Sequence, residues 1–403
     1  ISNGNVLGLA REAAQMLGAS RDDCLLSYLP LCHVAEKIFS LFLPLTTGAV
    51  VHFGESIETV QQDLAEVSPT VFLGVPRIWE KMHAQVTLKM QDASWLKRTL
   101  YKFFMPRGQA IADRRRNGTS GVWDNCVAWL GDMLVFRALQ ERLGLRRCRL
   151  PVSGAAPISP ELLKWFHGIG VLIGEGYGQT ESTGVSHLNQ PGAVRIGTVG
   201  QLIPGMECKI AEDGEILLKG DAVFCGYLHN EEATRATVDE DGWLHTGDIG
   251  VVDKDDYLSI TGRKKEIIIT AGGKNLSPEK IENSLKNSAY IKEAVAIGDA
   301  RKFISALVLI DYHAVSDWAV RKEITHTSLS DLVAHSEVQE LVQDEINKGN
   351  EHLARVEHVR AFRLFDKELH QDDGELTATQ KVRRSAITEK YETLINSMYT
   401  RSS

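Results

Sequence analysis

The sequence predicts an α/β fold: a large domain of βα units plus a hairpin-rich β subdomain, followed by a small α+β C-terminal domain on a hinge. Helical patterns alternate with short apolar runs through the first half of the chain. Short strands separated by turn residues begin near Gly214, and a basic, polar junction follows Gly262. We therefore expect a large domain over residues 1–262 and a small one over 263–403, with the boundary near 263–265.

The βα units come first along the chain. Helical periodicity and buried-strand runs alternate in order. The predicted elements are helices at 6–17, 34–41 and 60–67 and strands at 25–29, 49–53 and 70–73. This rhythm favours a mainly parallel sheet, in which ligands bind beyond the carboxyl ends of the strands. Loops that follow strands are therefore the places where we expect a site.

The remaining elements belong to the β subdomain and the small domain. Strands are predicted at 215–219, 249–252 and 257–260, the last two joined by the acidic turn at 253–256, and then at 294–297 and 306–310. The early strands are short and closed by turns, which is typical of hairpins. The last two follow the basic junction and predict a separate β/α layer.

Composition excludes several classes of protein. The 403 residues are 43 % hydrophobic and 24 % charged, as in ordinary globular proteins. A formal net charge of −8 gives no basic footprint for nucleic acid, and the apolar stretches fall short of the roughly 20 residues that a spanning helix needs. The six cysteines are widely spaced without a Cys-x-x-Cys pair, which favours free thiols and a cytoplasmic location.

Residues 96–118 combine bases with apolar side chains. Seven Lys and Arg residues stand against the single acid Asp113, with aromatic and aliphatic residues interleaved. Two interpretations are open. One is peripheral contact with anionic lipid headgroups at a membrane surface; the other, which we favour, is an amphipathic helix pair whose apolar stripe lies in the core.

The segment from Gly174 to Glu181, Gly-Glu-Gly-Tyr-Gly-Gln-Thr-Glu, directly follows an apolar run. Alternate glycines allow a ligand to approach the backbone, and Tyr177 offers a flat face for a base. The Thr180 hydroxyl is suited to a phosphate oxygen, and the Glu181 carboxylate is suited to Mg²⁺. The alternative is a glycine-rich turn with a helix N-cap at Thr180.

Three further motifs follow in order. Asp248 ends Trp-Leu-His-Thr-Gly-Asp and is suited to ribose hydroxyls, although a simple turn aspartate fits as well. Arg263 opens Gly-Arg-Lys-Lys-Glu at the domain junction, and a narrow glycine loop lies at 271–275. Lys381 ends Gly-Glu-Leu-Thr-Ala-Thr-Gln-Lys, and a lone lysine is more often only a solvated surface residue.

The combination and order of these motifs resemble the adenylate-forming family of acyl-CoA synthetases, luciferases and peptide-synthetase adenylation domains. The likeness runs over nearly the whole chain and includes 28–33, 153–157 and 214–216. Within the family, Pro-Arg-Ile-Trp-Glu-Lys at 76–81 and the segment 262–278 are most similar to the long-chain fatty acyl-CoA synthetase branch.

This resemblance implies a two-step reaction: ATP and a fatty acid give an acyl-adenylate and pyrophosphate, and the CoA thiol then takes the acyl group. It implies ATP, Mg²⁺ and CoA as cofactors or co-substrates. It also implies roles by position. For the nucleotide these are Gly154, Ala155, Ala156 and Tyr177 at adenine, Gly178 as a further cofactor-binding residue, Asp248 and Arg263 at ribose, Thr180 at the α-phosphate and Glu181 at Mg²⁺. For the other steps they are His33 beside the acyl carboxylate, Lys381 as the catalytic lysine, Lys265 as the hinge, and Gly272 and Gly273 at pantetheine.

One family element does not match. The Ser/Thr/Gly-rich loop ending in Pro-Lys-Gly, which lies upstream of 28–33 in the family, is absent. We therefore expect a large domain that lacks its N-terminal part and its phosphate loop. Two alternatives stay open besides the long-chain ligase: a ligase for an aryl or short-chain acid of the same fold, and a non-catalytic protein that binds nucleotide or acyl-CoA.

Overall fold

Residues 1–377 and 381–400 are described by a computed structural model. It divides into two units, the first containing Ile1–Met82 and Lys89–Lys264 and the second containing His83–Leu88 and the described residues from Lys265 onward. The main division therefore falls on the peptide bond between Lys264 and Lys265, inside the basic junction of the sequence.

A seven-stranded sheet organises the first unit, in the order β2-β1-β3-β4-β5-β6-β7. Its strands are β1 Cys24–Ser27, β2 Val50–Phe53, β3 Val71–Gly74, β4 Leu150–Ser153, β5 Gly174–Tyr177, β6 His187–Leu188 and β7 Gln201–Leu202. The first five in spatial order are parallel, and β6 and β7 add antiparallel pairs. The α/β class is thereby confirmed, and the three predicted βα strands all form, each within two residues of its expected bounds.

The helices between residues 1 and 264 precede, separate and follow the strands in the chain, and one of them, Pro76–Gln91, includes His83–Leu88 of the second unit. They are α1 Asn3–Leu17, α2 Val34–Lys37, α3 Leu43–Thr47, α4 Val60–Val67, α5 Pro76–Gln91, α6 Trp95–Arg116, α7 Val122–Gly131, α8 Arg137–Arg142, α9 Pro160–Gly168 and α10 Glu231–Thr237. Two π-helical turns, Ile38–Phe42 and Asp132–Phe136, join neighbouring helices, and Thr180–Ser182 is a 3₁₀ turn. The single helix predicted at 34–41 is thus an α-turn followed by a π-turn, a feature often found near functional sites.

The expected helix pair over residues 96–118 is wrong in one respect. α6 is one continuous helix of 22 residues with Pro106 inside it. Its buried residues are Phe104, Met105, Gly108 and Ile111, which recur at helical spacing on one face. The apolar stripe therefore packs inward, as the favoured interpretation requires.

A four-stranded antiparallel sheet, ordered β11-β10-β9-β8, completes the first unit. Its strands are β8 Met206–Ile210, β9 Glu215–Gly220, β10 Leu244–Val252 and β11 Leu258–Arg263. β10 begins five residues before the predicted strand at 249–252 because residues 244–248 pair with neighbouring strands. Its register with β11 sets Asp248 opposite Arg263.

The second unit has a three-stranded sheet, ordered β14-β15-β16, and a small hairpin of β12 and β13. Its elements are β12 Ile268–Ile269, β13 Asn275–Leu276, α11 Pro278–Leu285, β14 Ile291–Ile297, β15 Ile304–Ile310, α12 Tyr312–Arg321, α13 Leu329–Ala334, α14 Ser336–Asn350, β16 Val359–Leu364, α15 Arg384–Lys390 and α16 Glu392–Ser397. β15 is buried along its whole length, so the core of this unit lies on both faces of its central strand. None of the helices described is both long and apolar enough to span a bilayer.

Candidate active site

The site begins where β4 and β5 end side by side. Ser153 and Glu175 are register partners across these parallel strands, so the loop after β4 and the motif after β5 leave the sheet at the same edge. In the first loop Ala155 has φ +69°, a left-handed backbone that is unusual for alanine. The Ser153 hydroxyl is buried and has no hydrogen-bond partner among the residues described. An orphaned buried hydroxyl beside a strained loop fits a position where a bound ligand supplies the missing partner.

The three alternate glycines of the motif make close internal contacts, a reason for glycine that the sequence did not predict. A Cβ on Gly178 would lie 2.5 Å from the carbonyl oxygen of Gly184, and one on Gly176 would lie 3.0 Å from Leu188. A Cβ on Gly174 would lie 3.1 Å from the carbonyl oxygen of Asn189. The protein's own backbone and side chains thus fill the space in which a Cβ of each glycine would lie, and these glycines permit close packing between the motif and the segment 184–189.

Asp248 is the centre of the polar cluster. The Tyr177 hydroxyl and the Gln179 amide donate to its Oδ2 at 2.6 and 2.7 Å. Nε of Arg263 lies 3.1 Å from Oδ1. The carboxylate is only 3 % exposed, whereas the Arg263 side chain is half exposed. A carboxylate has about four lone-pair directions, so one remains for a further donor such as a ribose hydroxyl.

Burial controls the protonation of this cluster. Burial, followed by the neighbouring Asp248 charge, raises the pKa of Tyr177 well above its ordinary value of 10.0. The phenol therefore stays a hydrogen-bond donor throughout the neutral range. Burial also raises the pKa of Glu175 to about 8, so this carboxyl, two residues before Tyr177, is mostly protonated at pH 7 and is able to donate.

Thr180 and Glu181 follow on the 3₁₀ turn. Thr180 is exposed, as a phosphate contact requires. The Tyr227 hydroxyl donates to Oε1 of Glu181 at 2.6 Å, and the Glu181 carbonyl accepts from the Phe224 amide at 2.8 Å. These contacts hold the Glu181 backbone and one carboxylate oxygen, Oε1, in place.

His33 lies at the start of α2. Its Nδ1 accepts the Ala35 amide at 3.2 Å, so the imidazole caps the helix. One turn further, the Glu36 carboxylate is 1 % exposed and accepts hydroxyl bonds from Ser27 and Ser40, each at 2.6 Å. Burial raises the pKa of Glu36 despite these hydrogen bonds. This network ties the end of β1 to the helix that carries His33.

The same helix touches the motif. A Cβ on Gly184 would lie 2.8 Å from Ile38 and 3.2 Å from Val34. Because Gly184 also packs on Gly178, the helix after His33 and the turn around Glu181 form one packed block with the Asp248 cluster. The structure thus brings together the predicted residues of the first unit: His33, Gly154, Ala155, Ala156, Tyr177, Gly178, Thr180, Glu181, Asp248 and Arg263.

The other predicted residues belong to the second unit. Lys265 is exposed, and it lines a cavity of about 650 Å³ with Glu266, Arg301 and Arg384. Gly272 and Gly273 lie at the tip of the hairpin between β12 and β13, where Gly273 has φ +72° and nothing stands within 4 Å of an added Cβ. This tip is therefore open to a thin ligand, as the predicted pantetheine contact needs.

Lys381 is exposed, and a buried acid, Glu375, lies six residues before it in the chain. Glu375 is fully buried and accepts from Lys390, Tyr391 and the His370 amide at 2.8, 2.9 and 3.0 Å. Burial alone would raise the pKa of Glu375, but these donors lower it to about 2. Nearer the lysine, the Thr377 amide donates to the Lys381 carbonyl at 2.8 Å. Residues 378–380 lie outside the described residues.

Sequence reasoning missed four supporting residues: Gln179, Glu175, Tyr227 and Glu375. Gln179, Glu175 and Glu375 lie inside motifs that the sequence had already singled out, so their position in a motif was the signal by which they could have been found. Tyr227 stands 46 residues after its partner Glu181, and no local pattern marks it.

The described residues supply one carboxylate for Mg²⁺, that of Glu181, and not a complete set of ligands. Among the described residues no three His, Cys, Asp or Glu side chains converge as a metal cage. Mg²⁺ is commonly held by one or two carboxylates together with substrate phosphates and water, so a single carboxylate suits a metal that arrives with ATP.

Comparison with known proteins identifies relatives over the whole chain. Residues 1–228 match the family model described as AMP-binding enzyme, and residues 265–403 match the model described as AMP-binding enzyme C-terminal domain.

Several curated proteins are similar in sequence. The long-chain-fatty-acid–CoA ligase FadD15 of Mycobacterium bovis is 37 % identical over 94 % of this chain and 62 % of its own length. The putative fatty-acid–CoA ligase fadD11 of Mycobacterium tuberculosis is 36 % identical over 99 % of this chain and 70 % of its length. The long-chain-fatty-acid–CoA ligase ACSBG2 of Xenopus laevis is 33 % identical over 96 % of this chain and 55 % of its length. The chain thus spans less than two thirds of FadD15.

Solved structures share the fold. The adenylation domain of a carboxylate reductase from Mycobacterium chelonae superposes with a TM-score of 0.69 at 21 % identity, covering 96 % of this chain and 57 % of that one. An anthranilate CoA ligase in complex with anthranoyl-AMP gives a TM-score of 0.66 at 19 % identity, covering 97 % and 64 %.

Proposed function

Because the chain belongs to the AMP-binding enzyme family, we propose that the protein activates a long-chain fatty acid with ATP and transfers the acyl group to CoA. The products are acyl-CoA, AMP and pyrophosphate. The observation that carries this proposal is the cluster in which Tyr177, Gln179 and Arg263 hold the buried carboxylate of Asp248. It offers a rigid acceptor for ribose hydroxyls beside an aromatic face.

In the first half-reaction a fatty-acid carboxylate oxygen attacks the α-phosphorus of ATP, and pyrophosphate leaves. Both reactants are anions, so cations are needed to offset their repulsion and the charge that builds on the phosphates. We assign one cation to the ammonium group of Lys381 and place the Thr180 hydroxyl at the α-phosphate. Mg²⁺, held by Glu181, supplies charge neutralisation on the phosphate oxygens when it is bound.

In the second half-reaction the CoA sulfur attacks the acyl carbonyl carbon, and AMP leaves. The thiol proton is lost as the thioester forms. We assign the open glycine tip at Gly272 and Gly273 to the pantetheine arm, and His33 to the side of the acyl carboxylate. We propose Lys265 as the hinge that exchanges the catalytic groups of the two half-reactions.

The names of the relatives support the long-chain substrate over the alternatives. The proteins above 30 % identity that we compared are named as fatty-acid or long-chain-fatty-acid CoA ligases. The anthranilate ligase is similar at 19 % identity, which is evidence for the fold alone. A non-catalytic binding protein has no need of Glu181 and Lys381 together with Asp248 and Arg263, so the presence of all four favours an enzyme.

The location belongs to the same proposal. We place the protein in the cytoplasm, with peripheral contact at a membrane surface through residues 96–118 as a secondary prediction. The outer side of α6 keeps bases such as Lys97, Arg98 and Lys102 exposed, which is compatible with that contact.

Pyrophosphate release from the full-length protein tests the proposal, with ATP, Mg²⁺ and saturated acids of increasing chain length. We expect release that rises toward long chains and thioester formation when CoA is added. Activity confined to benzoate or short acids would favour the aryl or short-chain ligase. Nucleotide binding without release from any acid would favour the non-catalytic alternative.

A further inference from the structure

An exposed apolar surface of the first unit lies on the helix that follows α6. Val122, Trp123 and Trp129 are 79 %, 84 % and 64 % exposed. Isolated hydrophobic residues are ordinary on a protein surface, but a contiguous group that includes two exposed tryptophans marks an interaction site.

These side chains form one stripe. α7 runs into the π-turn Asp132–Phe136 without a break, and residues three, four and seven apart on a helix share a face. The exposed residues at 122, 126, 129 and 133 form one column, and those at 123, 130 and 134 form the column beside it. The outer stripe comprises Val122, Trp123, Cys126, Trp129, Leu130, Met133 and Leu134.

The opposite face of this helix is anchored to α6. Arg114 donates to Asp124 at 2.9 Å near the turn, and the rings of Phe104 and Phe136 lie 6.5 Å apart at the other end. The two helices are therefore an antiparallel hairpin whose inner face is already packed. The outer stripe is left as a second apolar surface.

The net charge of the two helices indicates which kind of partner binds the outer stripe. Residues 95–142 hold 9 Lys and Arg against 4 Asp and Glu, a formal charge of +5 in a chain whose total is −8. Three of the acids are matched by arginines: Asp113 by Arg116, Asp124 by Arg114, and Asp132 by Arg146 at 2.8 Å. The stripe itself carries no acid, and Trp95, 72 % exposed, adds a third tryptophan at the start of α6.

We propose that the hairpin 95–142 is a membrane-binding surface, which inserts the stripe into the interfacial region of an anionic bilayer while its bases contact the headgroups. Tryptophan is favoured at that depth because its ring is apolar and its N–H is polar. A second copy of the chain is a poor occupant, because it would bring +5 against +5. This proposal does not depend on the ligase activity, because the exposed residues and charges that define the surface involve no substrate.

Co-sedimentation of the full chain with vesicles tests this proposal in the absence of ATP and fatty acid. We expect at least tenfold tighter binding to vesicles of phosphatidylglycerol and phosphatidylcholine in equal parts than to phosphatidylcholine alone, and weakening by salt. Trp123→Glu with Trp129→Glu should weaken binding about tenfold or more. Val320→Glu with Val356→Glu, at exposed apolar positions of the second unit, is the matched control and should bind as before.

A second measurement needs no variant that could disturb folding. Cys126 lies within the stripe, whereas Cys32 and Cys225 are exposed elsewhere in the first unit. On vesicle binding, alkylation of Cys126 by a charged maleimide should slow at least fivefold, while that of Cys32 and Cys225 stays unchanged. Equal alkylation of all three, or no binding to anionic vesicles, would overturn the proposal. A concentration-dependent dimer that the Trp→Glu pair abolishes would assign the stripe to a second copy instead.

Discussion

The Tyr177 hydroxyl donates a 2.6 Å hydrogen bond to Asp248, joining the end of β5 to the middle of β10. The two residues lie 71 positions apart in the chain and on different sheets. A bond to a buried carboxylate is charge-assisted, so this one fixes both the aromatic face and the acceptor proposed for the nucleotide.

Tyr177→Phe should therefore reduce both stability and nucleotide affinity. Loss of a hydrogen bond to a charged group costs about 2 kcal/mol in the free energy of unfolding. We expect this in urea titration, together with a rise of roughly tenfold in KM for ATP, since 1.4 kcal/mol corresponds to a factor of ten. Tyr257→Phe is the control, because it removes a 2.9 Å hydrogen bond to the neutral carbonyl of Ala193. Equal effects of the two variants on KM would contradict the role of Tyr177.

Tyr227→Phe should weaken the use of Mg²⁺ without abolishing it. The hydroxyl holds Oε1 of Glu181, so its loss frees the carboxylate to rotate. A net hydrogen bond of about 1 kcal/mol predicts an increase of about fivefold in the Mg²⁺ concentration for half-maximal pyrophosphate release. Glu181→Ala should abolish Mg²⁺-dependent pyrophosphate release. Unchanged Mg²⁺ titrations in both variants would reject Glu181 as the metal carboxylate.

Lys381→Ala should separate the two half-reactions. We expect loss of acyl-adenylate formation by at least a hundredfold, because a cation that meets the developing phosphate charge is removed. Thioester formation from preformed acyl-adenylate should persist, as pantetheine is assigned to Gly272 and Gly273. Lys302→Ala, at an exposed lysine of the same unit, serves as the control. If both half-reactions fall equally, Lys381 has a structural role.

Glu375 should make the second unit sensitive to acid. Donors around this buried carboxylate lower its pKa from the ordinary 4.5 to about 2. Because the folded state holds the proton less tightly than the unfolded chain, the contribution is present above pH 5 and is lost as the pH falls toward 2. Thermal unfolding between pH 6 and 3 should show this loss in the unmutated protein, within about that window.

Glu375→Gln removes the charge at similar size. We expect it to lower the free energy of unfolding by about 2 kcal/mol near neutral pH and to flatten the acid dependence. Asp373→Asn is the matched control, since Asp373 shares Lys367 and Lys390 but is 43 % exposed. An acid profile that Glu375→Gln leaves unaltered would locate the sensitivity elsewhere.

Elements with a clean local period could be predicted from the sequence. The helix Val60–Val67 has the bounds that its periodicity predicted. α6 was misjudged because an internal proline normally breaks a helix, whereas Pro106 is accommodated within it. The start of β10 was missed because residues 244–248 resemble a turn, and only pairing with β9 and β11 extends them.

The site was predictable residue by residue but not as an arrangement. Tyr177, Asp248 and Arg263 each stood out by type and motif. Their shared hydrogen bonds depend on the register that sets Asp248 opposite Arg263, which no local pattern determines. The stripe on α7 was missed for a related reason, since an apolar helical face ordinarily indicates core.

The tight packing of Gly174, Gly176 and Gly178 also says where this site can be redesigned. A side chain at Gly178 must displace the backbone at Gly184, and one at Gly174 or Gly176 requires its neighbours in the segment 184–189 to shift by a few tenths of an ångström. Substitution at these three positions should therefore disturb the packing of this edge of the sheet. Ala155 and Ala156 are partly or fully exposed beside the same edge. Under the proposed adenine role, engineering of base selectivity should therefore vary Ala156 and keep the glycines, and Ala155 with its φ of +69°, as fixed framework.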